Sequence, residues 1–329
     1  MNRRNTIFAL LALSGAPFAS LAQKQPVKPL RIAWLAPGTR GALEVREWQA
    51  FLQALKDAGY VEGRDVVIDE RFADGRQEKL PALAAELVAL NPAVIVTYST
   101  AGVAAAKNAS SSVPIVFASA GDPIGAGFIA SYRRPGGRIT GVSSAAPGGE
   151  AGLEGKMLEL IRGTLPAAKR IGVIVHTRDP VHRDILARID RAAVSLGLET
   201  STAAVDQADE LERAFAGMEA QKLRVLFVPD QVFLGVNHPR IAELALKFRM
   251  ALFSLASEAG SLMSLTIDSV DIFRRVGSQV ARILKGEKPA EIPVDQPERF
   301  YFTVNLKTAK VLGIKIPPSI AVRADRMIE

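Results

Sequence analysis

Short apolar runs alternate with amphipathic segments along the first part of the chain, from Leu30 onward. The apolar runs predict strands, and the segments with apolar residues every three or four positions predict helices. The predicted strands are 31–36, 65–71, 93–97 and 114–118, and the predicted helices are 43–58, 77–90 and 100–109. Regular alternation with short connections predicts a parallel sheet covered by helices on both faces.

A stretch rich in glycine, proline and serine at 133–150 interrupts this order, and a second series of the same kind follows. Its predicted helices are 150–163, 180–196, 208–219 and 238–249, and its predicted strands are 170–175, 198–204, 224–228 and 251–254. The tail departs from the alternation, with a predicted helix at 269–285, a strand at 300–304 and a helix at 305–312. Two similar series predict an α/β fold of two doubly wound parallel-sheet lobes joined by a hinge.

Composition narrows the class of protein. The chain of 329 residues is 48% hydrophobic, which is enough for a sizeable core in each of two domains. It contains no cysteine, which excludes disulfides, thiolate metal sites and a cysteine nucleophile. The formal charge is +7, but the basic residues occur in pairs such as Arg133-Arg134 rather than in tracts. No nucleic-acid motif accompanies them, so we expect ordinary surface charge and no nucleic-acid partner.

The first 22 residues have the composition of a secretory signal peptide. Arg3 and Arg4 are basic, residues 7–19 are mostly apolar, and Ser20-Leu21-Ala22 gives a small-x-small cleavage pattern. The apolar run is shorter than the ~20 residues that a membrane-spanning helix needs. The segment therefore predicts export to the periplasm, and the general secretory and twin-arginine routes both stay open. Its removal lowers the formal charge from +7 to +5, since both arginines are lost.

The loops that follow the predicted strands contain the candidate ligand-binding residues. In open α/β sheets, ligands bind outside the carboxyl ends of the strands. These loops carry hydroxyls, acids and small side chains, which suit a small polar ligand. The candidate residues are Thr39, Tyr98, Ser99, Thr100, Ser119, Asp122, Ser143, His176, Asp230 and Ser254.

The same loops lack a convincing catalytic set. A Ser-His-Asp arrangement could be assembled from them, but the chain has no G-x-S-x-G elbow. The three histidines lack metal-ligand spacing, and G-D-P-I-G-A-G at 121–127 lacks the lysine of a phosphate-binding loop. We interpret His182 and His238 as surface or helix-start residues. We therefore predict that the chain is not an enzyme and holds no metal or cofactor.

Five segments are recognisable in combination. They are D-A-G-Y-V-E-G-R-D-V-V-I-D-E-R-F-A-D-G at 57–75, P-I-V-F-A-S-A-G-D-P-I-G-A-G-F at 114–128, R-P-G-G-R-I-T-G-V-S at 134–143, I-L-K-G-E-K-P-A-E-I-P-V-D-Q-P at 283–297 and N-L-K-T-A-K-V-L-G-I-K-I-P-P-S at 305–319. Together they resemble the ABC transporter substrate-binding protein family, whose known ligands include tryptophan and other aromatic amino acids. The resemblance covers nearly all of the chain after the export segment.

The resemblance implies a type I periplasmic binding fold, in which two lobes joined by three crossing segments enclose a ligand. It implies an N-terminal lobe of 28–142 plus about 267–291 and a C-terminal lobe of 143–266 plus about 292–329. It also implies hinge closure on the ligand, and docking of the closed monomer on transmembrane ABC permease subunits. The predicted function is therefore extracytoplasmic capture of a small carboxylate-bearing, amino-acid-like solute for an ABC importer.

An amino-acid-like ligand needs an anchor for each of its charges. Ser99 and Thr100 offer hydroxyls, and the helix that begins near them offers free N–H groups and the positive end of its dipole. Asp122 and Asp230 are candidates for the ammonium group, one from each lobe. Plainer interpretations stay open, with Ser99-Thr100 as a helix cap, Asp122 in a turn, Asp230 as a cap and Tyr98 in the core instead of stacked on a ligand.

One segment departs from the family pattern. Relatives often carry Gly-Leu-Met-Ser-Tyr-Gly near the second crossing, whereas residues 261–266 here are Ser-Leu-Met-Ser-Leu-Thr. Leu265 replaces an aromatic residue and Thr266 a glycine, so the ligand class stays open. Two other functions also stay open, a ligand-sensing subunit of a membrane signalling system and a small-molecule hydrolase.

Overall fold

The computed structural model describes residues 28–42, 45–144, 152–297 and 300–329. The predicted export segment at 1–22 lies outside the described residues. Across the described ranges, no helix is both long enough and apolar enough to cross a membrane.

The N-terminal half folds around a parallel sheet of five strands in the order β2-β1-β3-β4-β5. The strands are β1 (Leu30–Ala36), β2 (Val66–Phe72), β3 (Val94–Tyr98), β4 (Ile115–Ala120) and β5 (Ile139–Ser143). The helices are α1 (Val45–Asp57), α2 (Leu80–Ala89) and α3 (Ser99–Ala109). Helices pack on both faces, so the central strands carry nearly continuous apolar runs, and Trp34 and Phe117 are fully buried.

The C-terminal half folds around a sheet of seven strands in the order β12-β11-β10-β9-β8-β6-β7. The strands are β6 (Arg170–Val175), β7 (Glu199–Ala204), β8 (Val225–Val228), β9 (Ala251–Ser254), β10 (Met263–Ile267), β11 (Phe300–Asn305) and β12 (Arg326–Ile328). The helices are α4 (Gly152–Thr164), α5 (His182–Ser195), α6 (Leu211–Ala220), α7 (Val232–Val236), α8 (His238–Lys247), α9 (Ser269–Leu284), α10 (Leu306–Leu312) and α11 (Pro318–Ala321). Two helix-covered sheets confirm the predicted α/β fold, and antiparallel pairing of β11 with β10 is a departure from it.

Helix α9 returns to the N-terminal sheet and packs along α1. Its apolar face, which includes Ile272 and Val276, joins the core cluster that contains Phe51 and Leu55 of α1. The two helices approach closely at Gly277, where an added Cβ would lie 2.6 Å from the carbonyl oxygen of Phe51. The C-terminal part of the chain therefore contributes to the N-terminal core.

The contact at Gly277 leads to a stability prediction. Gly277→Ala should lower the free energy of unfolding by about 1–3 kcal/mol, because the new methyl group overpacks a backbone contact. Gly217→Ala is the matched control, since an added Cβ in the interior of α6 meets nothing within 4 Å. That change should raise stability by about 0.4–1 kcal/mol through lost chain entropy. Urea denaturation of both variants checks the prediction, and equal effects would contradict it.

Strand β5 corrects the interpretation of residues 133–150 as a break. Ile139 and Val142 are buried, and Gly141 lets the strand lie directly against β4. A Cβ on Gly141 would lie 2.1 Å from the carbonyl oxygen of Phe117, so no larger residue fits there. Glycine and serine in a short strand resemble a turn in sequence, whereas the neighbouring strand imposes the extended backbone. Strand β10 was likewise not predicted.

The chain passes between the two sheets after β5, before α9 and again before β11. The third passage begins against the N-terminal sheet, because the Asp295 amide donates to the Gly141 carbonyl and its carbonyl accepts from the Ser143 amide. Ile292 and Val294 are buried in the N-terminal core clusters just before this point. The lobe boundaries given above stay a prediction.

Candidate functional site

Loops at the carboxyl ends of the two sheets meet each other. Gly75 follows β2, and a Cβ built on it would lie 3.9 Å from the side chain of Val236 in α7. Gln77 lies in the same loop, close enough to the Asp179 carboxyl after β6 to lower its pKa. Since ligands of open α/β sheets bind at this edge, the facing loops define the candidate site.

Ser99 and Ser119 lie side by side at the ends of neighbouring strands. Tyr98 pairs with Ala118 in the β3–β4 ladder, so the two serines that follow are neighbours. Both have a left-handed backbone, with φ 63° at Ser99 and 57° at Ser119. Such a backbone costs a non-glycine residue about 1 kcal/mol or more and recurs at functional sites. Ser119 is also a bulged residue, because the register of β4 against β5 shifts between Ala118 and Ala120.

The start of α3 lies at the same edge and is only weakly capped. Its N-cap residue, Tyr98, makes no side-chain cap bond. The Ser99 hydroxyl accepts from the Gly102 amide at 3.4 Å, which is long for a hydrogen bond. The hydroxyls of Thr100 and Ser119 make no hydrogen bond within the part of the chain that the structure describes. Hydroxyls and helix amides are therefore available together, as a carboxylate ligand requires.

Tyr98 connects two of the predicted loops. Its hydroxyl accepts a hydrogen bond from the Gly38 amide at 2.7 Å, and burial raises the pKa of Tyr98 to about 12. Thr39 is half-buried and follows directly in that loop. The Tyr98 hydroxyl thus holds the loop after β1 against β3. Tyr98 therefore has a structural role that does not depend on contact with a ligand.

Two further predicted residues are hydrogen-bonded within the fold. Ser143 is buried, and its hydroxyl donates to the Ala120 carbonyl at 2.9 Å. Asp122 is exposed, and its Oδ1 accepts from the Gly125 amide at 2.8 Å. The bond of Asp122 favours its interpretation as a turn residue, and a role in ligand binding stays a prediction for both residues.

In the C-terminal half, His176 is a buried, neutral ring. Its backbone amide donates to Oε1 of Gln231 at 2.8 Å, and its ring stacks on Phe233 with centroids 4.5 Å apart. Burial lowers the pKa of His176, although Asp206, with an oxygen 3.9 Å from Nε2, acts in the opposite direction. His176 therefore supports the loop after β6 and lies beneath its surface.

Asp230 has the character expected of a cleft acid. Asp230 is an exposed residue, but the neighbouring protein partly desolvates its carboxyl. Desolvation and then the charges of Glu154 and Asp179 raise the pKa of Asp230 to about 6. Glu154 is buried and accepts from Arg188 at 2.7 Å. A cationic group arriving here would find three acids and one paired arginine.

Ser254 and His238 form a buried polar contact away from the surface. The Ser254 hydroxyl accepts from the Ala256 amide at 3.0 Å and lies 3.2 Å from Nε2 of His238. His238 begins α8, which confirms the helix-start alternative of its interpretation, and at 1% exposed it is buried and not on the surface. Burial lowers the pKa of His238 to about 4. Apolar packing of α8 places this ring inside the domain.

Sequence reasoning missed four polar residues of this region. Asp179 and Gln231 lie in the loops after β6 and β8, four and three positions beyond the strand ends, and that position could have identified them. Gln77 and Glu154 lie at helix starts and carry no comparable pattern. Packing of the two halves brings them toward the strand ends.

A cavity of about 360 Å³ lies beside the hinge passages and contains none of the predicted residues. Asp268, Asp271, Arg275 and Tyr301 line it, among others. Arg275 donates to Asp271 at 2.7 Å, and the Tyr301 hydroxyl donates to Asp268 at 3.2 Å. Because these charged groups already have partners, the strand ends are the better candidate for a polar ligand.

Comparison with known proteins identifies the family. The family model described as "ABC transporter substrate binding protein" matches residues 42–328. A "Tyrosine-binding protein" of Clostridioides difficile (strain R20291) is 26% identical over 272 residues, which are 81% of this chain and 76% of that protein.

Solved structures show the same architecture. An ABC domain from Streptococcus pneumonia in complex with L-Trp superposes with a TM-score of 0.81 at 26% identity, covering 92% of this chain and 100% of that one. A conserved domain protein from Vibrio cholerae gives a TM-score of 0.83 at 26% identity, covering 91% and 100%. The ligand-free, open structure of a substrate binding protein from Clostridium difficile gives a TM-score of 0.63 at 23% identity, covering 92% of this chain and 99% of that one. At this level of identity, the likeness is evidence for the fold only.

Proposed function

The chain belongs to the ABC transporter substrate-binding protein family, and from this we propose that it captures an aromatic amino acid between its two lobes. The relatives named for tyrosine and solved with L-Trp support that ligand class. We further propose that the protein acts as a monomer outside the cytoplasm, delivers its ligand to ABC permease subunits and catalyses no reaction.

The observation that carries the proposal is the pair of left-handed serines beside the start of α3. The hydroxyls of Ser99, Thr100 and Ser119 and the first amides of α3 would hold the ligand carboxylate. Asp230 would hold the ammonium group from the opposite lobe, because it is exposed and forms no salt bridge among the residues that the structure describes.

Ligand binding should be measured by thermal shift and calorimetry on the chain without residues 1–22. L-tryptophan and L-tyrosine should stabilise the protein, by about 2.7 kcal/mol at a concentration of 100 Kd. Tryptamine lacks the carboxylate and indole-3-propionate lacks the ammonium group, so both should bind at least about tenfold more weakly.

Comparison of these ligands tests the carboxylate anchor, the ligand class and amino-acid capture separately. Equal binding of tryptamine and L-tryptophan would contradict the carboxylate anchor. Stabilisation by other amino acids but by no aromatic one would contradict the ligand class and leave amino-acid capture standing. Stabilisation by no amino acid would contradict the proposed function.

The raised pKa of Asp230 predicts pH-dependent binding. Asp230 is ionised above about pH 6 and protonated below it. Between pH 7.5 and 5, affinity for L-tryptophan should fall about tenfold, because only the ionised minority then pairs with the ammonium group. Calorimetry across this range checks the prediction, and Asp230→Asn should bind weakly with no such dependence.

The stability of the unliganded protein should change in the opposite direction. The folded pKa of Asp230, about 6, lies above its ordinary value of 3.8. Protonation therefore stabilises the folded state at low pH, and this contribution is lost as the pH rises through 6. Asp230→Asn should be more stable than the parent at pH 8. Lower stability of the variant at that pH would show that the carboxylate is paired inside the fold.

A further inference from the structure

The contact between the two lobes at the edge of the candidate site includes a polar cluster that supplies none of the proposed ligand anchors. Gln77 lies in the short helical turn that follows β2, in the N-terminal half. Asp179 and Gln231 follow β6 and β8 in the C-terminal half. The nearby approach of Gly75 to Val236 shows that the two halves touch here.

The C-terminal side of this contact is rigidly built. Gln231 is 2% exposed, and its side chain bonds to both the amide and the carbonyl of His176, at 2.8 and 3.0 Å. Asp179 is 7% exposed, and its Oδ1 accepts from the Val181 amide at 3.1 Å. The bond to the Val181 amide fixes one oxygen of the Asp179 carboxyl beside this contact.

The N-terminal side carries an unsatisfied group. Both polar atoms of the Gln77 amide are buried, and neither has a hydrogen-bond partner among residues 28–42, 45–144, 152–297 and 300–329. A buried amide without partners is costly, and few such groups persist in folded proteins without a reason. The Gln77 amide nevertheless lies near enough to lower the pKa of Asp179, whose burial raises it. A small further approach would complete a bond from Nε2 of Gln77 to the carboxylate.

We propose that Gln77 and Asp179 form an interlobe latch, whose hydrogen bond is completed when the lobes close fully and which sets the population of the closed state. The open state hydrates both groups, and the fully closed state pairs them. The use of the latch in retaining a solute rests on the proposed function, whereas the latch itself can be tested without any ligand.

The absence of cysteine allows a clean distance measurement. Ala85 on α2 and Ala216 on α6 are exposed, so Ala85→Cys and Ala216→Cys can carry spin labels on opposite lobes. In the unliganded protein, Gln77→Ala should lower the ratio of closed to open molecules about tenfold, as expected for one hydrogen bond to a charged group. Gln53→Ala, which removes an exposed glutamine bonded to Asp57 on α1, should leave the ratio unchanged.

Charge substitutions make the test specific. Gln77→Glu keeps the shape of the side chain but repels Asp179, so it should open the lobes more than Gln77→Ala. Adding Asp179→Asn should restore much of the closed population, and this coupling is not expected of two independently acting residues. Distance distributions of Gln77→Ala and Gln77→Glu that match the parent would overturn the latch.

L-tryptophan serves as the probe in a separate arm. If Gln77→Ala abolishes its binding while the unliganded distance distribution is unchanged, Gln77 belongs to the ligand site and the latch is wrong. If the parent does not bind L-tryptophan, the proposed ligand fails, and the unliganded distributions still decide the latch.

Discussion

A disulfide between positions 75 and 236 is expected to hold the lobes together and to stop ligand exchange. A Cβ on Gly75 would lie 4.0 Å from Cβ of Val236, within the 3.5–4.5 Å typical of cystine. Because a ligand enclosed between lobes leaves only when they separate, release of labelled L-tryptophan should slow on the order of 100-fold or more in the oxidised Gly75→Cys/Val236→Cys protein.

Redox state provides the control for this experiment. Reduction should restore exchange to the rate of the parent, and each single-cysteine variant should be insensitive to oxidant because the chain has no cysteine of its own. Gly75 has φ 77°, so a cysteine there costs about 1 kcal/mol of stability, which the reduced form reveals. Failure to cross-link would mean that the two loops do not meet in solution, and unaltered exchange would mean that release needs no lobe separation.

Loss of the two hydroxyls at the start of α3 should have the second-largest effect. Ser99→Ala/Thr100→Ala is expected to weaken L-tryptophan binding about 10- to 100-fold, since hydrogen bonds to a charged carboxylate are lost. Tryptamine, which has no carboxylate, should bind the variant and the parent alike. Calorimetry with both ligands measures the difference.

Two further variants separate ligand binding from helix capping. Ser99→Gly removes the hydroxyl but suits the left-handed backbone at φ 63°, so it should keep its melting temperature while losing affinity. Ser110→Ala removes a hydroxyl bonded to the Val113 amide at the other end of the same helix, and it should lower stability without altering affinity. If Ser99→Gly loses stability and binds normally, Ser99 is a helix cap only.

Much of the secondary structure could be predicted because its causes are local. The predicted helix at 305–312 is one example. Asn305 accepts from the Thr308 amide at the start of α10, and Gly313 ends the helix with φ 71°. Asp268 caps α9 in the same way, through the Asp271 amide. Cap residues and apolar periodicity act within a few positions, so sequence patterns record them.

The candidate site was only partly accessible to the same reasoning. Ser99, Ser119 and Asp230 were predicted from their positions after strands, and the strand order places the two serines together. The left-handed backbone of the serines was not predictable, because it arises from the bulge in β4 and the close start of α3. Gln77 carries no motif at all. Its proposed role depends on the carboxylate of Asp179, which is about 100 residues away in the chain. Only the packing of the two lobes brings that carboxylate near Gln77.

The sequence by itself determined the alternation of strands and helices, the two-lobed fold class and the family, because each rests on local patterns or on motifs spread along the chain. The tertiary structure alone decided which strand ends lie side by side, that α9 packs against the first helix and that loops of the two halves touch. It also decided that His238 is buried and that Asp230 titrates near pH 6. Burial and the proximity of charges are set by residues distant in the chain, so no local pattern encodes them.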